Sequence, residues 1–204
     1  MIALAAANRY TAGMDTVMKV LFIGNSHTYK NDMPKRFADL CAARGVSVSV
    51  TMLAAPGIGL AEHAAAPQTR FNILYGGYDV VILQHAAHPM GDLDNMRAAA
   101  RTLVDLIRQA GAVPCLFMTW TQQGDAAGQP AMAQVYESLS KELDTLLAPV
   151  GLRWWDEIAK HPETPLYAPD GQHASPAGSM LAARTIADTL AQAGLLPPEQ
   201  GAAI

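Results

Sequence analysis

The chain has 204 residues, half of them hydrophobic and 16% charged, with a formal net charge of −4. That length suits one domain with a large core, and the composition excludes a disordered chain. The mild negative charge gives no footprint for nucleic acid or anionic membrane, and no apolar run approaches the roughly 20 residues that span a bilayer.

Residues 1–17 read as a loosely held extension. "MIALAAA" lacks a basic leader, its apolar stretch breaks at Asn8-Arg9, and Met18 opens the first strand pattern directly. With no convincing signal peptide, cytoplasm is the default location, and residues 18–204 form the expected single domain. Within it, "MKVLFIG" (18–24) is a short apolar run ending in Gly, the pattern of a fully buried strand. "PKRFADLCAARG" has apolar positions at helical spacing and closes on Gly45. "VSVSVTML" (46–53) alternates as a strand does, and "GLAEHAAAPQTRFNILYGG" is helical in part, interrupted by Pro67. "YDVVILQ" (78–84) is a third buried strand.

"DLDNMRAAARTLVDLIRQAG" is the clearest helix, capped by Asp92 and stopped by Gly111. "AVPCLFMTW" (112–120) is a fourth strand, and "PAMAQVYESLSKELDTLL" a helix with Pro130 in its first turn. "APVGL" (148–152) is read as a short fifth strand, with "LRWWD" as the alternative. "SPAGSMLAARTIADTLAQAG" closes the pattern as a helix with Ser175 as N-cap. Strands alternating with helices imply crossover connections, hence an α/β fold whose parallel sheet is covered on both faces. Cys41 and Cys115 lie far apart in apolar surroundings and read as reduced core thiols.

In open parallel sheets ligands bind outside the carboxyl ends of the strands. That rule selects residues 24–33, 54–59, 84–92 and 119–129, with 161–175 returning to the same edge. Their reactive side chains form a short set: Ser26 beside Asn25 and His27, then Gln84, His85 and His88, then Asp170 and His173 in "APDGQHASPAG". A serine hydroxyl is a weak nucleophile that needs a base, itself oriented by a third group. A carboxylate three residues before an imidazole can fold back onto Nδ1–H and leave Nε2 facing a hydroxyl. Backbone N–H groups at Ser26 and Gly57 are candidates to stabilise an oxyanion, since a glycine lets the substrate oxygen approach closely.

"FIGNSHT", Gly57 after the second strand and "DGQHASPAG", in that order, resemble the SGNH (GDSL-like) hydrolases over roughly Met18 to Leu190. The resemblance implies a three-layer α/β/α sandwich with a flavodoxin-like parallel sheet of about five strands. It implies Ser26 as nucleophile, Asp170 and His173 completing a triad, and Ser26 and Gly57 amides in the oxyanion hole. Two blocks depart from the family. Asn25 stands where Gly-Asp-Ser is usual, and "LQHAAH" replaces Gly-x-Asn-Asp, whose Asn side chain donates to the oxyanion. The match is to a branch with Gly-Asn-Ser first and Leu-Gln third, in which Gln84 is the nearest substitute donor and His85 the alternative.

The implied activity is a serine esterase that removes a small, acetyl-like acyl group from a carbohydrate or other polar alcohol, since the loops look short and no long lid is visible. No cofactor is implied. The histidines at 27, 63, 85 and 88 have no Cys or carboxylate beside them at ligand spacing, so no metal is expected. His27, His85, His88, Asn25 and Trp120 are candidate pocket residues. Trp120, Trp154 and Trp155 read as core or rim residues, with stacking on a sugar ring as the alternative. Three other functions remain open: an acyltransferase using the same triad, a flavodoxin-like module cradling a phosphate in the Gly-Asn-Ser-His loop, and an unreactive sugar-binding relative.

Overall fold

The computed structural model of the protein describes residues 17–199, so residues 1–16 of the expected extension lie outside the described residues. Five strands, β1 (Met18–Gly24), β2 (Val48–Ala54), β3 (Val80–Gln84), β4 (Val113–Phe117) and β5 (Leu146–Ala148), form one sheet in the order β2-β1-β3-β4-β5. Every pairing is parallel. The helices are α1 (Ser26–Tyr29), α2 (Met33–Ala43), α3 (Leu60–Ala65), α4 (Pro67–Tyr75), α5 (Leu93–Gln109), α6 (Gln129–Leu143), α7 (Val150–Lys160) and α8 (Pro176–Gln192). This is the expected three-layer sandwich.

The period-2 alternation of a strand sorts the core into two halves. Val20, Val80 and Val113 share one row of the sheet, and Phe22, Ile82 and Cys115 another. These pack on one face with Phe37 of α2 and Ala183, Ile186 and Leu190 of α8. The intervening Leu21, Ile23, Leu83 and Leu116 face the other way, onto Leu103 and Ile107 of α5 and Tyr136 and Leu139 of α6. The central strands are buried on both sides, which is why they read as unbroken apolar runs. Cys41 and Cys115 are buried free thiols whose pKa burial pushes up to about 12, so they stay protonated.

Two caps and one helix break predicted from sequence form as expected. Asp92 Oδ1 accepts from the Asp94 and Asn95 amides at 2.9 and 3.3 Å. Ser175 Oγ accepts from the Ala177 and Gly178 amides at 3.1 Å. Pro67 opens α4 at its first turn, dividing α3 from α4.

The fifth strand differs from expectation. It lies at Leu146–Ala148, sharing only Ala148 with "APVGL", whose end enters α7, while "LRWWD" lies wholly within α7. Two features account for this. Asp144 adopts φ +50° and ends α6 early, freeing the last two leucines of the expected helix for β5. Val150, Trp154 and Ile158 then recur every fourth residue, a helical stripe that buries Trp154 against the sheet and α8. Strands β3 and β4 are also shorter than the expected runs 78–84 and 112–120, and β2 starts two residues later and ends one residue later than the expected 46–53. Among the described residues, no helix is long and apolar enough to cross a membrane.

Candidate active site

The first strand ends at a close approach. A Cβ on Gly24 would collide with Thr28 Oγ1 and Gln84 Oε1, so a glycine there lets these two side chains pack against the strand end. Asn25 is extended and caps α1, its Oδ1 accepting from the His27 amide at 3.0 Å. Ser26 becomes the first residue of that one-turn helix, half-buried at the carboxyl end of β1.

Asp170 and His173 come to meet it. His173 Nδ1–H donates to Asp170 Oδ2 at 2.7 Å, and Nε2, left without a proton, lies 2.8 Å from Ser26 Oγ. Asp170 Oδ1 also accepts from the Gln172 and His173 amides, both at 2.9 Å. Those bonds, led by the Gln172 amide and the His173 side chain, hold the Asp170 carboxyl well below the usual carboxylate range. The loop is braced from outside by the segment after β4. Trp120 Nε1 donates to Gln172 O at 2.9 Å, the Gln123 amide to Gly171 O at 2.8 Å, and Tyr167 Oη to Thr121 O at 2.7 Å. A hydroxyl, an imidazole and a carboxylate bonded in series can pass the serine proton to Nε2 while the carboxylate steadies the imidazolium.

Gly57 lies across the cleft at φ +72°, a left-handed turn that a side chain would strain. The Asn25 side chain straps this turn to the nucleophile, Nδ2 donating to Ile58 O at 2.9 Å. Among the described residues neither the Ser26 nor the Gly57 amide has an acceptor, which leaves both free for a ligand. The cleft between them holds about 320 Å³ and is also lined by Asn25, His27, His88 and Gln172.

Three candidate site residues, Gln84 for the oxyanion, His85 for the oxyanion or the pocket and Trp120 for the pocket, do not line the cleft. Gln84, fully buried, is not available as an oxyanion donor. Its Oε1 accepts from the Asn25 amide at 2.8 Å and Thr28 Oγ1 at 2.9 Å, and its Nε2 donates to His85 O. His85 is not the alternative donor either. Its Nε2–H donates to Met90 O at 2.7 Å and its Nδ1 accepts from the Leu60 amide at 3.2 Å, so both ring nitrogens tie loops together. Trp120 has no exposed surface: one face stacks on Trp154 at 3.8 Å and the other on His27 at 5.2 Å. Neither Trp120 nor Trp154 can therefore receive a sugar ring, and Trp155 is tied by Nε1 to Thr121 Oγ1 at 3.0 Å.

Sequence reasoning missed His63 as a support of the site. Its Nε2–H donates to Gly24 O at 2.8 Å, directly beneath the nucleophile turn. Its place on a helix four residues beyond Gly59, facing inward, was the available signal. Among the described residues no group of three metal-ligating side chains forms.

No family model matches this sequence, and neither does any curated protein. Solved structures do match in fold. A DUF4886 family protein from Bacteroides uniformis superposes with a TM-score of 0.71 at 16% identity, over 87% of this chain and 84% of that one. The psychrotrophic esterase EstA from Pseudoalteromonas sp., in a structure inhibited by monoethylphosphonate, gives 0.64 at 14% identity over 85% and 97%. A carbohydrate esterase family 3 protein from Talaromyces cellulolyticus gives 0.64 at 12% identity over 87% and 98%. The fold neighbours thus include esterases and a GDSL-like lipase, and the chain has the fold that they share.

Proposed function

We propose that the protein is a serine esterase, with Ser26 as nucleophile, His173 as general base and acid, and Asp170 as the group that orients it. The observation that carries this reading is the unbroken series from Asp170 through His173 to Ser26 Oγ, at 2.7 and 2.8 Å. Ser26 Oγ attacks the ester carbonyl as Nε2 takes its proton. The tetrahedral oxyanion is held by the backbone amides of Ser26 and Gly57. His173 then gives the proton to the leaving alcohol, and water, deprotonated by the same imidazole, releases the acid and restores Ser26.

A two-donor oxyanion hole is weaker than one with three, so the alignment of the two amides carries more of the stabilisation. The Asn25 strap to Ile58 supplies that alignment. The cleft of about 320 Å³ suits a small acyl group such as acetyl. The fold neighbours include a carbohydrate esterase, which favours a polar alcohol as leaving group.

The test is pre-steady-state hydrolysis of p-nitrophenyl acetate. A burst of nitrophenol equal to the enzyme concentration, absent in Ser26→Ala, is expected for an acyl-enzyme. Linear release without a burst, retained in Ser26→Ala, would contradict the assignment. Adding glycerol as acceptor separates hydrolase from acyltransferase: a hydrolase yields acetate throughout, whereas a transferase yields acetylglycerol.

A further inference from the structure

Four histidines other than His173 are at least half-buried, and they fall into two classes. His63 and His85 have both ring nitrogens in hydrogen bonds. His27 and His88 do not: both nitrogens of His27 and Nε2 of His88 are shielded from solvent and have no partner among the described residues. These two are the histidines that line the cleft beside Ser26. Their rings lie 5.3 Å apart, and His27 also stands 5.2 Å from the His173 ring.

If the site needed only packing, a phenyl ring would fill His27's space with no orphaned polar atom. Buried polar groups without partners are rare, and a ligand or water is one way to complete them. Burial keeps both rings neutral, holding His27 at a pKa of about 3 and lowering His88 as well, against smaller opposing pulls on His88 from Asp125 and from a hydrogen bond to the Trp120 backbone. A neutral imidazole carries one N–H donor and one lone pair. Paired neutral rings therefore offer both a donor and an acceptor, which matches a hydroxyl, itself donor and acceptor at one atom. His27 is 7% exposed, through atoms other than its nitrogens. To present a nitrogen to the cleft the His27 ring must turn about its terminal torsion, which is soft and roughly two-fold.

We propose that His27 and His88 form a neutral hydrogen-bonding wall that recognises a hydroxyl beside the scissile ester, which makes the substrate a partly acylated polyol or sugar. This rests on the reading of Ser26 as nucleophile. Glycerol, a neutral polyol, stands for the leaving alcohol, and propan-1-ol for the same skeleton with a single hydroxyl.

Two experiments test the proposal. In the first, the full chain carrying 15N-labelled histidine is titrated with glycerol or propan-1-ol, and the ring nitrogens are followed by long-range proton–nitrogen NMR. Saturable shifts of His27 and His88 with glycerol, absent with propan-1-ol, are expected. Rings that ignore both alcohols, as an internal water would leave them, overturn the proposal. In the second, kcat/KM is compared for 2-hydroxyethyl acetate and ethyl acetate. A wild-type preference for the hydroxyl ester of at least about tenfold is expected, reduced in His27→Phe and His88→Phe. Equal values in the wild type overturn the proposal without any variant having to fold, and an undiminished preference in both variants overturns the assignment to these rings. Failure of Ser26 itself is distinguishable: neither ester is then cleaved by a Ser26-dependent route, and the proposal falls with that reading.

Discussion

The turn that carries Ser26 is held from below by the core, whereas the loop that carries Asp170 and His173 is held from the side by surface hydrogen bonds. Asn25, Thr28, His63 and Gln84 are all buried, and they knit the nucleophile turn to the ends of two strands and to α3. Asp170 is exposed, and its loop depends on bonds from Trp120, Gln123 and Tyr167. The difference teaches that damage on the two sides should take different forms. A fault beneath Ser26 threatens folding, while a fault around His173 threatens alignment and leaves the fold standing.

The chemistry itself gives the largest contrast. Ser26→Ala and His173→Ala should each lower kcat on an ester by on the order of 10⁴–10⁶, with little change in melting temperature. Asp170→Asn should cost less, on the order of 10³–10⁴, because its carboxylate is half in solvent. A melting temperature lowered as much as activity in these variants would mean that the series is structural.

Gln84→Ala probes the buried side. It strands the Asn25 amide, Thr28 Oγ1 and the His85 carbonyl, at about 1–3 kcal/mol for each buried group left unsatisfied. Denaturant unfolding should show a loss of about 2–5 kcal/mol, beside a fall in kcat as Ser26 shifts. Were Gln84→Ala to retain wild-type stability and lose only kcat, the side chain would be an oxyanion donor after all. Trp120→Phe is the matched probe of the other side. It keeps the stack on Trp154 but deletes the bond to Gln172 O, and about 0.5–1.5 kcal/mol is expected from that loss, with kcat down by less than tenfold. Equal destabilisation by the two changes would erase the comparison.

The smallest effect is a slope. Unfolded His27 takes up a proton near pH 6.5, whereas the folded ring does so only near 3. Between those values the unfolded chain binds more protons, so stability rises with pH across that window. His27→Phe should flatten this part of the curve, gaining on the wild type as pH falls. Asp170 acts in the same sense, over a lower pH window. Its folded pKa is depressed, so its contribution is complete above about pH 4 and is lost as pH falls toward the depressed value. Solvent screening keeps that contribution small. Melting temperatures measured from pH 3 to 7 for wild type, His27→Phe and Asp170→Asn separate the two.

The architecture was legible because it rests on periodicity, which sequence displays. Unbroken runs such as "VLFIG" and "VVILQ" are what strands buried on both faces require, and Asp92, Gly111 and Ser175 mark helix ends by local chemistry. The fifth strand was misplaced because β5 has only three residues and its boundary is set by the left-handed turn at Asp144, which a reading of hydrophobicity does not see. At the site, Ser26 was legible as a reactive type at a strand end, and Asp170 and His173 as a pair on the loop before the last helix. The roles of Gln84, His85 and Trp120 were not, since an amide, an imidazole or an indole serves equally well as pocket wall or as internal strut. Only the partners of their polar atoms separate the two.

The most direct measurement is labelling of the folded chain with a fluorophosphonate probe, the adduct located by peptide mass spectrometry in wild type and in His173→Ala. The account predicts a single adduct on Ser26 Oγ, suppressed when His173 is removed. A folded wild-type chain whose Ser26 stays unmodified, or one labelled equally with and without His173, would contradict it.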